Sequence, residues 1–247
     1  MRLAVIADIH GNVLALEAVL ADIARRSPDR IVNLGDCVSG PLWPRETMDT
    51  LDTHGIASVR GNHDRWVAET ARERMYPSDA FAFDCLTPAQ RAALGALPAR
   101  LDVADGIAAV HGTPGDDNRY LLEDVVDGRL TQAPPATIAG RLTGIGADLL
   151  LCAHSHLPRI AHGPEGMLIV NPGSVGCPAY DDPTPPSAHV SEAGSPHARY
   201  ALLTRASGVW GIELIVVAYD WDTASRRAAD NARPQWARAL ATGFVTA

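Results

Sequence analysis

The chain has 247 residues, 47% of them hydrophobic, and a formal net charge of −8, which allows a sizeable core and shows none of the basic excess that a nucleic-acid surface needs. Its four cysteines, Cys37, Cys85, Cys152 and Cys177, are widely spaced without a Cys-x-x-Cys pair, which argues against a zinc ribbon or a disulfide framework and fits a reducing cytoplasm. The apolar start is interrupted at Asp8, and no run approaches the roughly 18 to 20 apolar residues of a membrane span, so the expectation is a soluble cytoplasmic protein that is neither exported nor inserted.

Leu3 to Ala7 reads as a strand, and Asn12 to Ala24 carries Val13, Leu16, Leu20 and Ile23 at helical spacing. The alternation repeats with a strand at Ile31 to Leu34, a helix at Arg45 to Thr53 and a strand at Ile56 to Val59, which predicts a parallel, helix-covered beginning. Trp66 to Ala99 reads as helical, and Thr87-Pro88-Ala89-Gln90 offers a capping Thr, a Pro at the first helical position and a Gln three residues after the cap. Strand candidates then dominate: Arg100 to Val103, Ile107 to Val110, Leu149 to Cys152, Met167 to Val170, Tyr200 to Leu203 and Val209 to Val217. Asp181 to Pro196, rich in Pro, Ser and Ala, reads as an exposed loop, and the Ala-rich tail after Asp220 reads as helical with a solvated arginine face. No internal repeat is visible, and residues 1–247 are expected to form one domain of the α/β class.

Five polar motifs stand at the ends of these apolar runs: Asp8-Ile9-His10, Gly35-Asp36, Gly61-Asn62-His63-Asp64, His111-Gly112 and His154-Ser155-His156. In Asp8-x-His10 and His154-x-His156 the two side chains are two residues apart, so on an extended backbone they point the same way and can hold one ion. Asp36 adds a carboxylate at a strand end, where it can bridge two cations. In the third motif a turn glycine precedes a neutral oxygen ligand, an imidazole and a carboxylate able to orient that imidazole. Each motif alone has an ordinary reading as a cap, turn or core residue. Five of the nine histidines at strand ends together read as a two-metal hydrolytic centre at the sheet edge where ligands bind.

In order and type these motifs resemble those of the calcineurin-like metallophosphoesterases: D-x-H, G-D, G-N-H-D/E, H and G-H-x-H. The resemblance runs from Asp8 to about Gly176 and includes Asn171-Pro172-Gly173-Ser174-Val175-Gly176, which is similar to a segment of small bacterial phosphodiesterases and diadenosine tetraphosphatase-like members. Ala153 stands where the family usually has Gly, a small change expected to tighten the backbone and spare the metal. The resemblance implies a four-layer α/β/β/α sandwich of two mixed sheets flanked by helices. It also implies that Asp8, His10, Asp36 and His156 hold one ion, that Asp36 bridges to a second held by Asn62, His111 and His154, and that a hydroxide between the ions attacks the phosphate. His63 would be the general acid with Asp64 holding its ring. Arg60 resembles a phosphate-clamping arginine, its other reading being a surface arginine at a strand end.

Nitrogen and oxygen ligands without thiolate point to two divalent transition ions, manganese foremost, with iron, nickel, cobalt or zinc as substitutes. The implied substrate is a small phosphate ester, nucleotides included; monoesters, diesters and dinucleoside polyphosphates all remain compatible. Asn118, Arg119 and Tyr120 are candidates for contacting the rest of it. Gly35-Asp36 runs into Cys37-Val38-Ser39 and not D-R-G, which disfavours the protein phosphatase branch, and no basic track suggests a repair nuclease. The rival from another class is a non-catalytic interaction scaffold on the same fold, like a retromer subunit that resembles these enzymes but lacks key catalytic groups. This chain keeps every ligand type and His63.

Overall fold

Leu3 and Val5 of β1 (Arg2–Ile6) enter one hydrophobic core while Ala4 and Ile6 enter another, the period-two division of a strand buried on both faces. The structure, a computed structural model, describes residues 1–245. After β1 come α1 (Val13–Arg26), β2 (Arg30–Asn33), α2 (Pro44–Thr53), β3 (Ala57–Ser58), α3 (Asn62–Glu69), α4 (Pro77–Cys85) and α5 (Pro88–Ala96). The second half runs β4 (Arg100–Ala104), β5 (Ile107–Val110), β6 (Glu123–Val126), β7 (Arg129–Gln132), α6 (Pro135–Arg141), β8 (Leu149–Leu151), β9 (Arg159–His162), β10 (Leu168–Asn171), β11 (Ala179–Asp182), β12 (His189–Glu192), β13 (Ala198–Ala206) and β14 (Val209–Val217). A helical pair, α7 (Trp221–Asp230) and α8 (Pro234–Thr242), closes the described chain.

Two five-stranded mixed sheets form, in the orders β14-β13-β1-β2-β3 and β4-β5-β8-β10-β9. Leu3, Val5 and Val32 of the first meet Val103, Ile107 and Leu149 of the second in the core between them. On the outer face of the first sheet, Ile6 and Tyr200 pack with Leu16, Val19 and Ile23 of α1. On the outer face of the second, Ala108 and Ile169 pack with Ile138 of α6. This is the four-layer α/β/β/α arrangement. Each fully buried Leu or Ile in these cores contributes about 1.5–3 kcal/mol. The Thr87 cap forms as expected, Gln90 N–H donating to Thr87 Oγ1 at 3.2 Å and Thr87 N–H to Gln90 Oε1 at 3.0 Å.

A third, four-stranded sheet in the order β11-β12-β7-β6 corrects one expectation. The 181–196 stretch is not a plain loop: Asp181 and Asp182 end β11 and 189–192 form β12, Asp181 opposite Val190, and 183–188 is the exposed connection. Short length and polar content, Glu-Asp-Val-Val and Arg-Leu-Thr-Gln, hid β6 and β7 from the apolar-run criterion. Their turn was readable, because Asp127-Gly128, at φ 50° and 72°, is the two-residue Asp-Gly hairpin signal. Among the described residues no helix is long and apolar enough to cross a membrane.

Candidate metal centre

Strands β1, β2 and β3 are mutually parallel, as are β5, β8 and β10, so their C-terminal ends lie along one edge of the sandwich. Asp8 and His10 follow β1, Asp36 follows β2, Asn62 opens α3 after β3, His111 follows β5, and His154 and His156 follow β8. The structure gathers these seven side chains. Ligand atoms of Asp8, His10 and His156 lie within 4.8 Å of one another, as do those of Asp36, His111 and His154. Asp36 Oδ2 sits between the groups, 3.8 Å from His10 Nε2 and 3.2 Å from His111 Nε2, while its Oδ1 accepts the His63 N–H at 3.0 Å.

The donor atoms are prepared for a cation. His10, His111 and His156 each hold Nδ1 at 2.7 Å from a backbone carbonyl, of Ser39, Leu34 and Cys177 respectively. A carbonyl only accepts, so Nδ1 carries a proton in each ring and Nε2 is the nitrogen turned inward, the orientation that a metal ligand requires. Both Asp8 oxygens and Asn62 Oδ1 are buried without hydrogen-bond partners, which is costly for polar atoms unless a further group satisfies them. This all nitrogen and oxygen donor set fits transition ions.

The backbone departs from the expected extended geometry. Asp8, His10, Asp36, His154 and His156 have φ of 53°, 51°, 54°, 72° and 60°, so each D-x-H or H-x-H pair converges through left-handed residues and not through strand alternation. Such conformations cost on the order of 1–3 kcal/mol each and persist where the surroundings fix them. Here Asp8 O accepts Ser174 Oγ–H at 2.7 Å and Gly176 N–H at 3.1 Å, and Asn171 Nδ2 donates to Ala153 O at 3.1 Å and Ser155 Oγ at 3.0 Å. The Asn171–Gly176 segment thus straps two candidate ligand loops together. Ala153 stays buried, its N–H donating to His111 O at 2.7 Å. Gly61 is required by close approach, since a Cβ there would meet Asp36 Oδ1 and stand 2.6 Å from Asp36 N.

Two assignments change. Asp64 does not hold the His63 ring: its buried carboxylate accepts the N–H groups of Asp36, Cys37 and Gly61 at 2.8, 2.9 and 2.9 Å, locking the second and third motifs together. The ring partner is Asp79 of α4, whose Oδ1 lies 2.7 Å from His63 Nδ1 and accepts Ser39 Oγ–H at 2.6 Å. Asp79 has no motif in the sequence, and an Asp in the first turn of a helix reads as an ordinary terminus residue. Arg60 points away, pairing with Glu69 Oε1 at 3.1 Å and Gly95 O at 3.2 Å, as a surface arginine does.

Burial drives His10 down to about 4 and His154 to about 3, leaving neutral imidazoles at ordinary pH. At His111 burial is outweighed by Asp36 and Asp8, which hold it up to about 10. Burial also opposes the charge on His63, but Asp79 and Asp36 outweigh it and raise the ring to about 9. Burial pushes Asp8 well above the carboxylate range, whereas at Asp36 His111 and His63 overcome burial and hold it well below. Cys37 and Cys177 lie nearby, yet burial raises both thiols, and Cys177 Sγ is engaged by Ala179 O at 3.4 Å.

The centre opens into a cavity of about 970 Å³. Asn118, Arg119 and Tyr120 line it, as do His63, Trp66 and Tyr76. Arg141, the other lining arginine, pairs with Asp124, and among the described residues Arg119 is the lining arginine without a carboxylate partner. Tyr120 Oη lies 2.7 Å from both Tyr180 Oη and His189 Nε2, so the third sheet supplies a wall that the sequence did not announce.

The profile of the calcineurin-like phosphoesterase superfamily domain matches residues 1–193. An uncharacterised protein of Methanocaldococcus jannaschii is 26% identical over 95% of this chain and 94% of its own length. The crystal structure of a metallophosphoesterase from Sphaerobacter thermophilus is similar with a TM-score of 0.74 at 24% identity, covering 99% of this chain and 100% of that one. A hypothetical protein from Pyrococcus horikoshii OT3 gives 0.78 at 21% identity, with 98% of each chain covered.

Proposed function

The chain belongs to the calcineurin-like phosphoesterase superfamily, and from that premise we propose that it is a dinuclear metal-dependent hydrolase of phosphate mono- or diesters. The carrying observation is the pair of clusters, Asp8-His10-His156 and Asp36-His111-His154, with Asp36 Oδ2 between His10 and His111. In this reading Asp8, His10, Asp36 and His156 hold one transition ion, and Asp36, Asn62, His111 and His154 the other, with manganese the first to supply. Two such ions, when bound, lower the pKa of water and offset phosphate charge.

The remaining work falls to this chain's own side chains. His63 belongs to neither ligand cluster, and Asp79 fixes its Nδ1. Its Nε2 is then the atom that hands a proton to the departing oxygen, a role that matters most when the leaving group is poor. Asp64 acts as a positioning residue, holding Asp36 and Gly61 in register. Arg119, at the cavity wall, binds a non-bridging phosphate oxygen. The four thiols are free, which suits work in a reducing compartment.

The test is a hydrolysis panel of p-nitrophenyl phosphate, bis-p-nitrophenyl phosphate, cyclic nucleotides and diadenosine tetraphosphate, with manganese and with chelator. Manganese-dependent turnover of an ester supports the reading. Turnover that survives chelation overturns the metal dependence, and a protein that binds manganese and cleaves no phosphate ester overturns the reading in favour of a scaffold.

A further inference from the structure

Each histidine that faces the cavity carries an aromatic neighbour from its wall. Trp66 meets His63 edge-on with ring centroids 4.8 Å apart, and Trp236 meets His10 at 5.9 Å. On the other side Tyr120 stacks on His154 at 4.6 Å and Tyr180 meets His156 edge-on at 4.6 Å. Aromatic residues are only 5% of the chain, so this concentration at one opening is not a sampling of the surface. The tyrosines bond to each other, Tyr120 also to His189, and they belong to the wall. The tryptophans form a half-buried rim, with Tyr76 extending it from Trp66 at 5.8 Å.

Trp236 lies outside the family-matched residues 1–193. It is nevertheless seated firmly. Asn231 Nδ2 donates to Pro41 O at 2.8 Å, fixing the helical pair on the 40–43 loop, and Ser225 Oγ–H of α7 donates to Ala237 O of α8 at 2.8 Å. Gly40 is required chiefly by the close approach of the His10 carbonyl, and a Cβ there would also stand 3.3 Å from Trp236 Cη2. The opposite wall carries Asp181 and Asp182, which form no ion pair among the described residues, so that side does not favour further phosphates.

We propose that the organic part of the substrate is a planar aromatic group of the nucleobase class, held against Trp66 and Trp236 beside the phosphate. The inference rests on the phosphoesterase reading and adds the substrate class to it. A π-face on the rim gives base-tolerant affinity through stacking, and the acidic far wall favours an ester with one phosphate over a polyphosphate chain.

The experiment measures calorimetric binding of AMP, ribose 5-phosphate and adenosine to the full manganese-supplied chain. It is made in a His63→Asn background to suppress turnover, with Trp66→Leu, Trp236→Leu and, as a control on the far side of the molecule, Trp210→Leu. AMP is expected to bind at least about ten-fold tighter than ribose 5-phosphate, and either rim substitution to remove most of that advantage, while Trp210→Leu leaves it in place. Equal binding of AMP and ribose 5-phosphate, or an advantage that survives both rim substitutions, overturns the proposal. The phosphoesterase reading fails separately, by ribose 5-phosphate binding that ignores manganese. Adenosine then decides the rim on its own: Trp-dependent binding supports it, and no binding refutes it.

Discussion

Asp79→Asn removes a charge from the interior without changing side-chain shape. Asp79 is buried and its Oδ1 is shared by His63 Nδ1 at 2.7 Å and Ser39 Oγ at 2.6 Å. The amide can still accept from both, so the fold should survive, but the charge-assisted bond that holds the imidazolium is gone. Hydrogen bonds to charged groups contribute about 1.5–3 kcal/mol, which corresponds to roughly ten- to a hundred-fold in rate if the bond operates when the proton is handed over. The loss should fall on alkyl phosphate esters, whose leaving oxygen needs that proton, and stay under about three-fold for p-nitrophenyl esters. Steady-state kcat on both ester types, with His63→Ala and the double variant alongside, tests the chain of reasoning. The double variant should match His63→Ala, because Asp79 acts through His63. Equal losses on both esters, or a double variant whose losses multiply, would refute the assignment of Asp79 and His63 together.

Gly61→Ala should unseat Asp36, since the new Cβ would crowd Asp36 Oδ1 and N; the expected outcome is lost metal binding and about 2–4 kcal/mol of stability in chemical denaturation, and unchanged metal content would count against it. Arg60→Gln should leave kcat/KM unchanged, its pair with Glu69 being a surface one of about 0–1 kcal/mol, whereas Arg119→Ala should raise KM about ten-fold through a lost phosphate contact; the reverse ranking would restore Arg60 to the site. Burial pushes the Glu123 carboxyl from 4.5 up to about 7, against the pull of Arg159 at 2.8 Å. The folded protein therefore keeps a proton that the unfolded chain releases, and stability falls as pH rises through that window, by about 3 kcal/mol. Glu123→Gln should flatten that slope in denaturation across the window, and an identical slope would contradict the burial argument.

The fold was legible wherever burial left a one-dimensional trace. The runs at β1, β2, β5 and β8 are continuous because both faces of each strand are covered, and Thr87-Pro88-Ala89-Gln90 forms the cap that its residue types require. What escaped lies where tertiary context decides. Strands β6, β7, β11 and β12 pair in a small sheet of mixed polarity, which periodicity cannot distinguish from loop. The seven candidate ligands were visible because motif types recur at strand ends. Their left-handed geometry was not, since nothing in Asp8-Ile9-His10 signals φ above zero without the Ser174 and Gly176 contacts that impose it. Asp79 and Trp236 reach the site only because α4 and α8 pack beside it. Asp64 is the opposite case: it adjoins His63 in sequence, yet its carboxylate serves the backbone N–H groups of Asp36, Cys37 and Gly61.

The most direct test of the dinuclear centre is the number of manganese ions bound per chain, by equilibrium dialysis and elemental analysis, for wild type and Asp36→Asn with folding verified by circular dichroism. Because Asp36 Oδ2 lies between His10 and His111, wild type should bind two ions and the folded variant at most one. Two ions retained by the variant, or none bound by the wild type, would contradict the account.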